Sequence, residues 1–252
     1  MLDNAMGPSP LWLAEWLCRD MRLSSDMVVL DMGCGKAVTS IFLAREFGCS
    51  VFANDLWISP DENLARITEQ GLQRKVFPIH AEAHALPYAR GFFDAIVCID
   101  AYQYFGTDDT YLDSFSKFVK PGGQIGIVVA GWLKETESPM PPGLETYPPF
   151  EFANFHTLGW WREHLERSGP VEIEACDYLP DGKLIWYDSA RAMYEAKRIL
   201  RSTDGTSPEA MKKELDFWKG DIDFLEADVK DYSALIRVVM KRKSEQATFR
   251  SL

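Results

Sequence analysis

One short run, Asp31-Met32-Gly33-Cys34-Gly35-Lys36-Ala37, carries most of the chemistry legible in this sequence. It follows an apolar stretch, Val28-Val29-Leu30, and precedes a helical pattern that starts near Val38. Glycines at such a junction let the backbone turn tightly and approach a ligand that a β-carbon would exclude, so a nucleotide-sized guest is one reading and a merely tight turn the other. The next apolar stretch, Val51-Phe52-Ala53, ends in Asn54-Asp55, and a carboxylate at that strand tip can accept hydrogen bonds from both hydroxyls of a ribose. A dinucleotide fingerprint would need a third glycine at position 38, where Val38 stands, so NAD is disfavoured.

Other side chains offer themselves for a second substrate. His156, beside a proline-rich stretch, is the first choice for a general base because an imidazole there can titrate near neutrality. Tyr102 and Tyr104 are alternative hydrogen-bond donors, with cavity packing as the competing role. The aromatic residues Trp132, Tyr147, Phe150, Phe152 and Phe155, with Trp186 and Tyr187, suit either an apolar or cationic small molecule or ordinary packing under a cap. His80 and His84 have a metal-like spacing, yet they fall across a strand end and a loop rather than on one helix face, and no metal site is expected.

The elements that must position these residues follow from periodicity. Val76 to Ile79, Ala95 to Ile99 and Ile125 to Val129 join the first two apolar runs as strands buried on both faces, alternating with helical patterns, which is the rhythm of a parallel sheet. Ser59-Pro60-Asp61-Glu62 reads as a capping box with Pro at the first helical position, and Gly71 ends that helix. Asp108 or Asp109 is placed to cap a helix through Leu112, Phe115 and Val119, which Pro121-Gly122-Gly123 would stop. Ser9-Pro10 opens a short helix with Leu13, Leu17 and Met21 on one face. Thr157 to Arg167 reads as a helix, Val171 to Cys176 as a strand, Leu184 to Leu200 and Pro208 to Ala227 as helices around a Thr203-to-Pro208 break, and Ala234 to Met240 as a last strand. The stripe Met211, Leu215, Trp218, Ile222, Leu225 is a packing face.

With these residues in order, the chain resembles the class I S-adenosylmethionine-dependent methyltransferases over about residues 28 to 130. Val28 to Gly35 looks like that family's first motif, with Ala37 where a third glycine is usual, and Asp55 matches its ribose-binding acid. Ala81-Glu82-Ala83 is similar to the segment in which an acid meets the adenine amino group and the next backbone N–H meets the ring, with Glu82 where Asp is commoner. Phe92 to Val97 and Val119 to Gly123 resemble the lead-ins to the fourth and fifth strands. The resemblance implies S-adenosyl-L-methionine as cofactor, held by Asp31, Gly33, Cys34, Gly35, Asp55, Leu56, Glu82, Ala83 and Asp100, with Asp31 orienting the amino group directly or through water. Trp57 is either a further wall of that site or a core aromatic under the following helix.

The expected architecture is an α/β, doubly wound, Rossmann-like, mostly parallel seven-stranded sheet with an antiparallel last strand and a helical insertion between the last two strands. Residues 1-180 and 228-252 would form the core and residues 181-227 the insertion. The acceptor should meet the carboxyl ends of the later strands, at Asp100 to Phe105, Gly131 to His156 and part of the insertion. Methyl transfer to an O, N or C atom of a small molecule is the leading function; a non-catalytic binder and a lyase or cyclase on the same fold are the alternatives.

Composition narrows the field. The 252 residues are 46% hydrophobic, enough for one sizeable core, and no apolar run is long enough to span a membrane. A net charge of −11, the absence of an appended RNA-binding module, and Asp100-Ala101-Tyr102 where the family's Asn-Pro-Pro-Tyr signature would stand all argue against nucleic acid. Five widely spaced cysteines with no C-x-x-C suit a reducing cytoplasm. The oligomeric state is not legible.

Overall fold

A computed structural model describes residues 4–136, 140–148, 152–200 and 207–244. Pro139, Pro149 and Phe150, residues 203–206 of the expected break and the tail from 245 lie outside them. In chain order the elements are α1 (Pro10–Cys18), β1 (Val28–Met32), α2 (Val38–Glu46), β2 (Ser50–Asp55), α3 (Pro60–Glu69), β3 (Val76–His80), β4 (Phe93–Ile99), α4 (Tyr111–Ser116), β5 (Val119–Trp132), α5 (Leu158–Ser168), β6 (Val171–Tyr178), α6 (Gly182–Leu200), α7 (Pro208–Ala227) and β7 (Ser233–Arg242), with a 3-10 turn at Tyr102–Tyr104. The seven strands form one sheet in the order β3-β2-β1-β4-β5-β7-β6. β7 runs antiparallel to both of its neighbours, and β1 to β5 pair parallel.

The order reverses beside β1: β2 lies on one side of it and β4 on the other. This switch point opens a crevice at the strands' carboxyl ends. Both faces of the sheet are covered. Leu13 and Leu17 of α1 are fully buried, and a β-carbon on Gly126 of β5 would meet Met21 and Leu17, so that glycine is what lets α1 lie against the strand. Burial of each such leucine contributes about 1.5–3 kcal/mol. Arg237 of β7 fastens the same corner, with Nη2 on Asp177 Oδ2 at 2.7 Å and Nη1 on the Trp16 carbonyl at 2.6 Å. Ser59 caps α3 as expected, with its reciprocal bonds to Glu62.

Two local expectations are corrected. Thr110, not Asp108 or Asp109, is the N-cap residue of α4; Asp108 Oδ1 instead accepts from the Thr110 N–H at 2.7 Å, in a turn just upstream. Pro121-Gly122-Gly123 does not stop α4, which ends at Ser116. It bulges out within β5, where the register slips between the pairs Phe93 with Val119 and Ala95 with Gln124, and Gly122 takes φ +82° to allow it. The stripe on α7 does pack: Met211, Trp218, Ile222 and Leu225 are buried.

Candidate active site

The residues after β1 form the turn that the glycines suggest. Gly33 and Gly35 take φ +72° and +51°, and a β-carbon on Gly33 would lie 2.4 Å from that of Ala101 in the loop after β4. Ala37, at the position of the missing glycine, keeps the same left-handed form at φ +59°, so the turn survives with about 1–2 kcal/mol of local strain. The turn is latched to β2: the Gly35 N–H donates to Asp55 Oδ2 at 2.8 Å, and Asp55 Oδ1 accepts from the amides of Trp57 (2.7 Å) and Ile58 (3.0 Å). Asn63 of α3 donates to the Gly35 carbonyl at 2.9 Å.

These parts enclose a cavity of about 360 Å³ at the carboxyl ends of β1, β2 and β4. Gly33, Cys34, Gly35, Asp55, Leu56, Glu82, Ala83 and Asp100 all line it. Trp57 lines it too and is 71% exposed, which rules out the reading as a core aromatic; its ring lies 6.0 Å from that of Tyr104. Glu82 is held by His84, whose backbone N–H and Nδ1 each reach one carboxylate oxygen at 2.8 Å, and the bond from the His84 side chain draws the acid below its ordinary range. His80 turns instead to the Leu56 carbonyl, so the two histidines do not converge.

Asp31 is the first departure. It is 1% exposed and lies outside the cavity wall, with Oδ2 accepting from Thr39 Oγ1 (2.5 Å) and Ser40 Oγ (2.6 Å), while Oδ1 has no partner among the described residues. Burial pushes its carboxyl up to about 6. Thr39 is the group that reaches the cavity. A polar residue in the first turn after a glycine loop is the sequence signal for this role.

The proposed catalytic residues are not brought to this cavity. His156 packs its ring on Trp160, with centroids 3.6 Å apart, and burial pushes it down to about 4, so it is neutral at physiological pH and faces an indole. Tyr102 is fully buried among Tyr111, Phe105, Phe115 and Trp161, its hydroxyl has no partner among the described residues, and burial drives its ionisation well above the ordinary value. The aromatic cluster resolves as packing: Phe152 stacks on Phe224 of α7 at 4.6 Å, and Trp132 meets Phe155 at 5.1 Å. A larger cavity of about 680 Å³ lies at the far edge of the sheet, between Tyr178 to Leu184 and Leu225 to Ala234, away from the glycine turn.

Contributors that periodicity could not reveal come from both ends of the chain. Met6 lies beside Gly35 and Gly7 beside the Asp100 carboxyl, both on the cavity wall, and Phe217 of α7 reaches the same cavity from the insertion. Ser9 N–H donates to Ser189 Oγ of α6 at 2.9 Å, tying the N-terminal segment to the insertion. Asp100 takes φ +53°, a conformation uncommon for aspartate, and burial pushes its carboxyl up to about 7.

The comparisons with known proteins agree with this geometry. A methyltransferase-domain model matches residues 29–123. The methyltransferase GfsG of Streptomyces halstedii is 30% identical over 190 residues, spanning 66% of this chain and 67% of that one. Among solved structures, a putative sarcosine dimethylglycine methyltransferase from Galdieria sulphuraria superposes with a TM-score of 0.69 at 20% identity, over 92% of this chain and 86% of that one. The cyclase SpnF superposes with a TM-score of 0.72 at 15% identity, over 92% and 80%. At such identities the superpositions speak for the fold, which hosts more than one chemistry; family membership rests on the sequence match. By that match, and by the glycine turn latched to an acidic strand tip, the chain belongs to the class I S-adenosylmethionine-dependent methyltransferases.

Proposed function

We propose that this protein transfers the methyl group of S-adenosylmethionine to a nucleophilic O, N or C atom of a small-molecule acceptor. The observation that carries the proposal is the single cavity lined by the Gly33-to-Gly35 turn, Asp55 and Glu82 together with Asp100 and Tyr104. The residues present fit the cofactor: Gly33 and Gly35 hold the turn at positive φ, and they line the same cavity as the Asp55 and Glu82 carboxylates.

In this reading Asp55 and Leu56 hold the ribose, Glu82 and the Ala83 N–H the adenine, and Gly33, Cys34 and Gly35 the methionine portion. Asp31 acts one layer back, fixing Thr39 and Ser40. When bound, the cofactor supplies an activated sulfonium methyl, so no covalent nucleophile on the protein is required. The chain's own task is positioning and exclusion of water, which in favourable systems is worth about 7–11 kcal/mol. Met6, Trp57, Tyr104 and Phe217 give the cavity exposed apolar surface, and Asp100 lines it with a carboxyl group.

Residues 181-227 act as a cap on a core of residues 1-180 and 228-252, supported by the Phe217 contribution to the cavity. The acidic balance supports an acceptor other than nucleic acid. No helix among the described residues is long and apolar enough to cross a membrane. All five cysteines are free, which supports a reducing, cytoplasmic setting. Calorimetry with S-adenosylhomocysteine, followed by a radiolabelled-methyl screen over small-molecule acceptors, tests the proposal. Binding without transfer to any of them would favour a non-catalytic role.

A further inference from the structure

Residues 5–9 reach the cavity without belonging to the sheet or to α1. Met6 and Gly7 line it, Met6 beside Gly35 of the glycine turn and Gly7 beside the Asp100 carboxyl. The approach is close: a β-carbon on Gly35 would lie 3.1 Å from Met6 Sδ, and one on Gly7 only 2.2 Å from Asp100 Oδ2. Gly7 takes φ +90°, which glycine adopts freely. Ser9 takes φ +39°, where a serine is strained and stays only if its surroundings hold it.

What holds it comes from the insertion. Ser9 N–H donates to Ser189 Oγ of α6 at 2.9 Å, and among the described residues this is the hydrogen bond that fastens residues 5–9 to any part of the chain beyond the start of α1. Ala5 adds an apolar contact, packing against the cluster of Ala190 and Met193 of α6 with Trp218 and Ile222 of α7. Phe217, the neighbour of Trp218, is the insertion's own contribution to the cavity. The segment is therefore a strap, lying on the cavity on one side and on the cap helices on the other. Ser189 is half-buried and lines no part of the cavity.

We infer that Ser189 is a positioning residue for the cofactor site: through the Ser9 N–H it keeps the strap of residues 5–9 closed over the cavity and so slows the release of S-adenosylmethionine and S-adenosylhomocysteine. The inference rests on the cofactor reading of the cavity. Its physical basis is that little else holds the strap. A segment with few buried apolar contacts and one hydrogen bond to another element opens locally at low cost, and a ligand enclosed by it leaves only when it opens. A hydrogen bond of ordinary net strength shifts such an opening equilibrium by about fivefold. Because the strap opens for entry as well as for exit, loss of the bond speeds release without slowing association.

The test is stopped-flow binding of S-adenosylhomocysteine to the full chain, followed by tryptophan fluorescence, together with hydrogen exchange of residues 5–9 read by mass spectrometry. Ser189→Ala is expected to speed dissociation about fivefold, to leave association no slower, and to quicken exchange at the Met6, Gly7 and Ser9 amides of the complex. Ser189→Thr, which keeps the hydroxyl, should return the dissociation rate to within about twofold of the unmodified protein. Gly7→Ala drives a methyl against Asp100 and lifts the strap by another route, so the two substitutions should not add: with Gly7→Ala in place, Ser189→Ala should change dissociation by less than about twofold. Unchanged dissociation in Ser189→Ala overturns the inference, as does a loss of affinity that falls on association, or full additivity with Gly7→Ala. A lower melting temperature with rates and exchange unaltered would leave Ser189 a structural residue and overturn it too. Failure of S-adenosylhomocysteine to bind the unmodified protein would instead sink the cofactor reading, and the first titration shows that separately. Should Ser189→Ala fail to fold, exchange in the unmodified protein decides: S-adenosylhomocysteine must slow the amides of residues 5–9, and no slowing overturns the inference.

Discussion

The Gly35 N–H donates to Asp55 Oδ2 at 2.8 Å, so the turn after β1 and the tip of β2 are one unit rather than two neighbouring features. The carboxylate proposed to hold a ribose also fixes the backbone that would cradle the rest of the cofactor. Asp55→Ala is therefore expected to weaken S-adenosylhomocysteine binding at least about tenfold and to lower stability by about 2–3 kcal/mol, because hydrogen bonds to a charged group are the stronger kind. Calorimetry and denaturant unfolding read the two effects separately. Unchanged affinity would show that the ribose lies elsewhere.

Gly33→Ala tests the turn from the other side. The new methyl would sit 2.4 Å from the Ala101 β-carbon on a backbone with φ +72°. The loop after β4 has to move, and binding of S-adenosylhomocysteine should fall more steeply than for a substitution at an exposed residue away from the cavity such as Val229→Ala. Stability should drop by at least about 1–2 kcal/mol from the backbone conformation alone. Retained affinity would mean that the close approach of these loops is not needed.

Asp31 gives a prediction in pH. Its folded value, about 6, lies above its ordinary 3.8, because burial outweighs the Ser40 and Thr39 hydroxyls. The neutral form is thus favoured in the folded chain: the contribution to stability is full below about pH 4 and is lost as pH rises through about 6, a change on the order of 3 kcal/mol. Asp31→Asn should flatten that decline, seen as a smaller difference in melting temperature between pH 4 and pH 7 than the unmodified protein shows. An identical pH profile in the variant would remove Asp31 as its source.

His156 titrates the other way. Its folded value, about 4, lies below the ordinary 6.5, through burial and the neighbouring His164, so its contribution to stability is present above about pH 6.5 and is lost as pH falls through 4. His156→Phe keeps an aromatic face for Trp160 and should reduce the loss of stability on acidification. Methyl transfer by His156→Ala should persist with an unchanged pH profile, since the ring lies outside the cavity; loss of the acidic limb of the rate profile would restore it as a base.

Local features of the sequence went far toward the fold because they act through the backbone. Apolar runs covered on both faces, the Ser59 capping box, and glycines forced to positive φ at Gly33 and Gly35 each specify their structure within a few residues, and Asp55 inherits its place from the strand that ends in it. Ala37 shows the limit of motif spelling: the missing glycine did not change the turn, since the surrounding contacts hold alanine at φ +59°.

What tertiary structure alone decided is which side chains share a space. His156 looked like a base until Trp160 covered it, and Tyr102 until four aromatic rings enclosed it. Asp31 looked like a ligand group until the first turn of α2 claimed one oxygen. Conversely, Met6 and Phe217 carry no signal in their own neighbourhoods, because they approach the crevice from opposite ends of the chain. Periodicity reports how a segment folds against a core; the chemistry of the cavity depends on burial and fields between segments, which exist only once the chain has closed on itself.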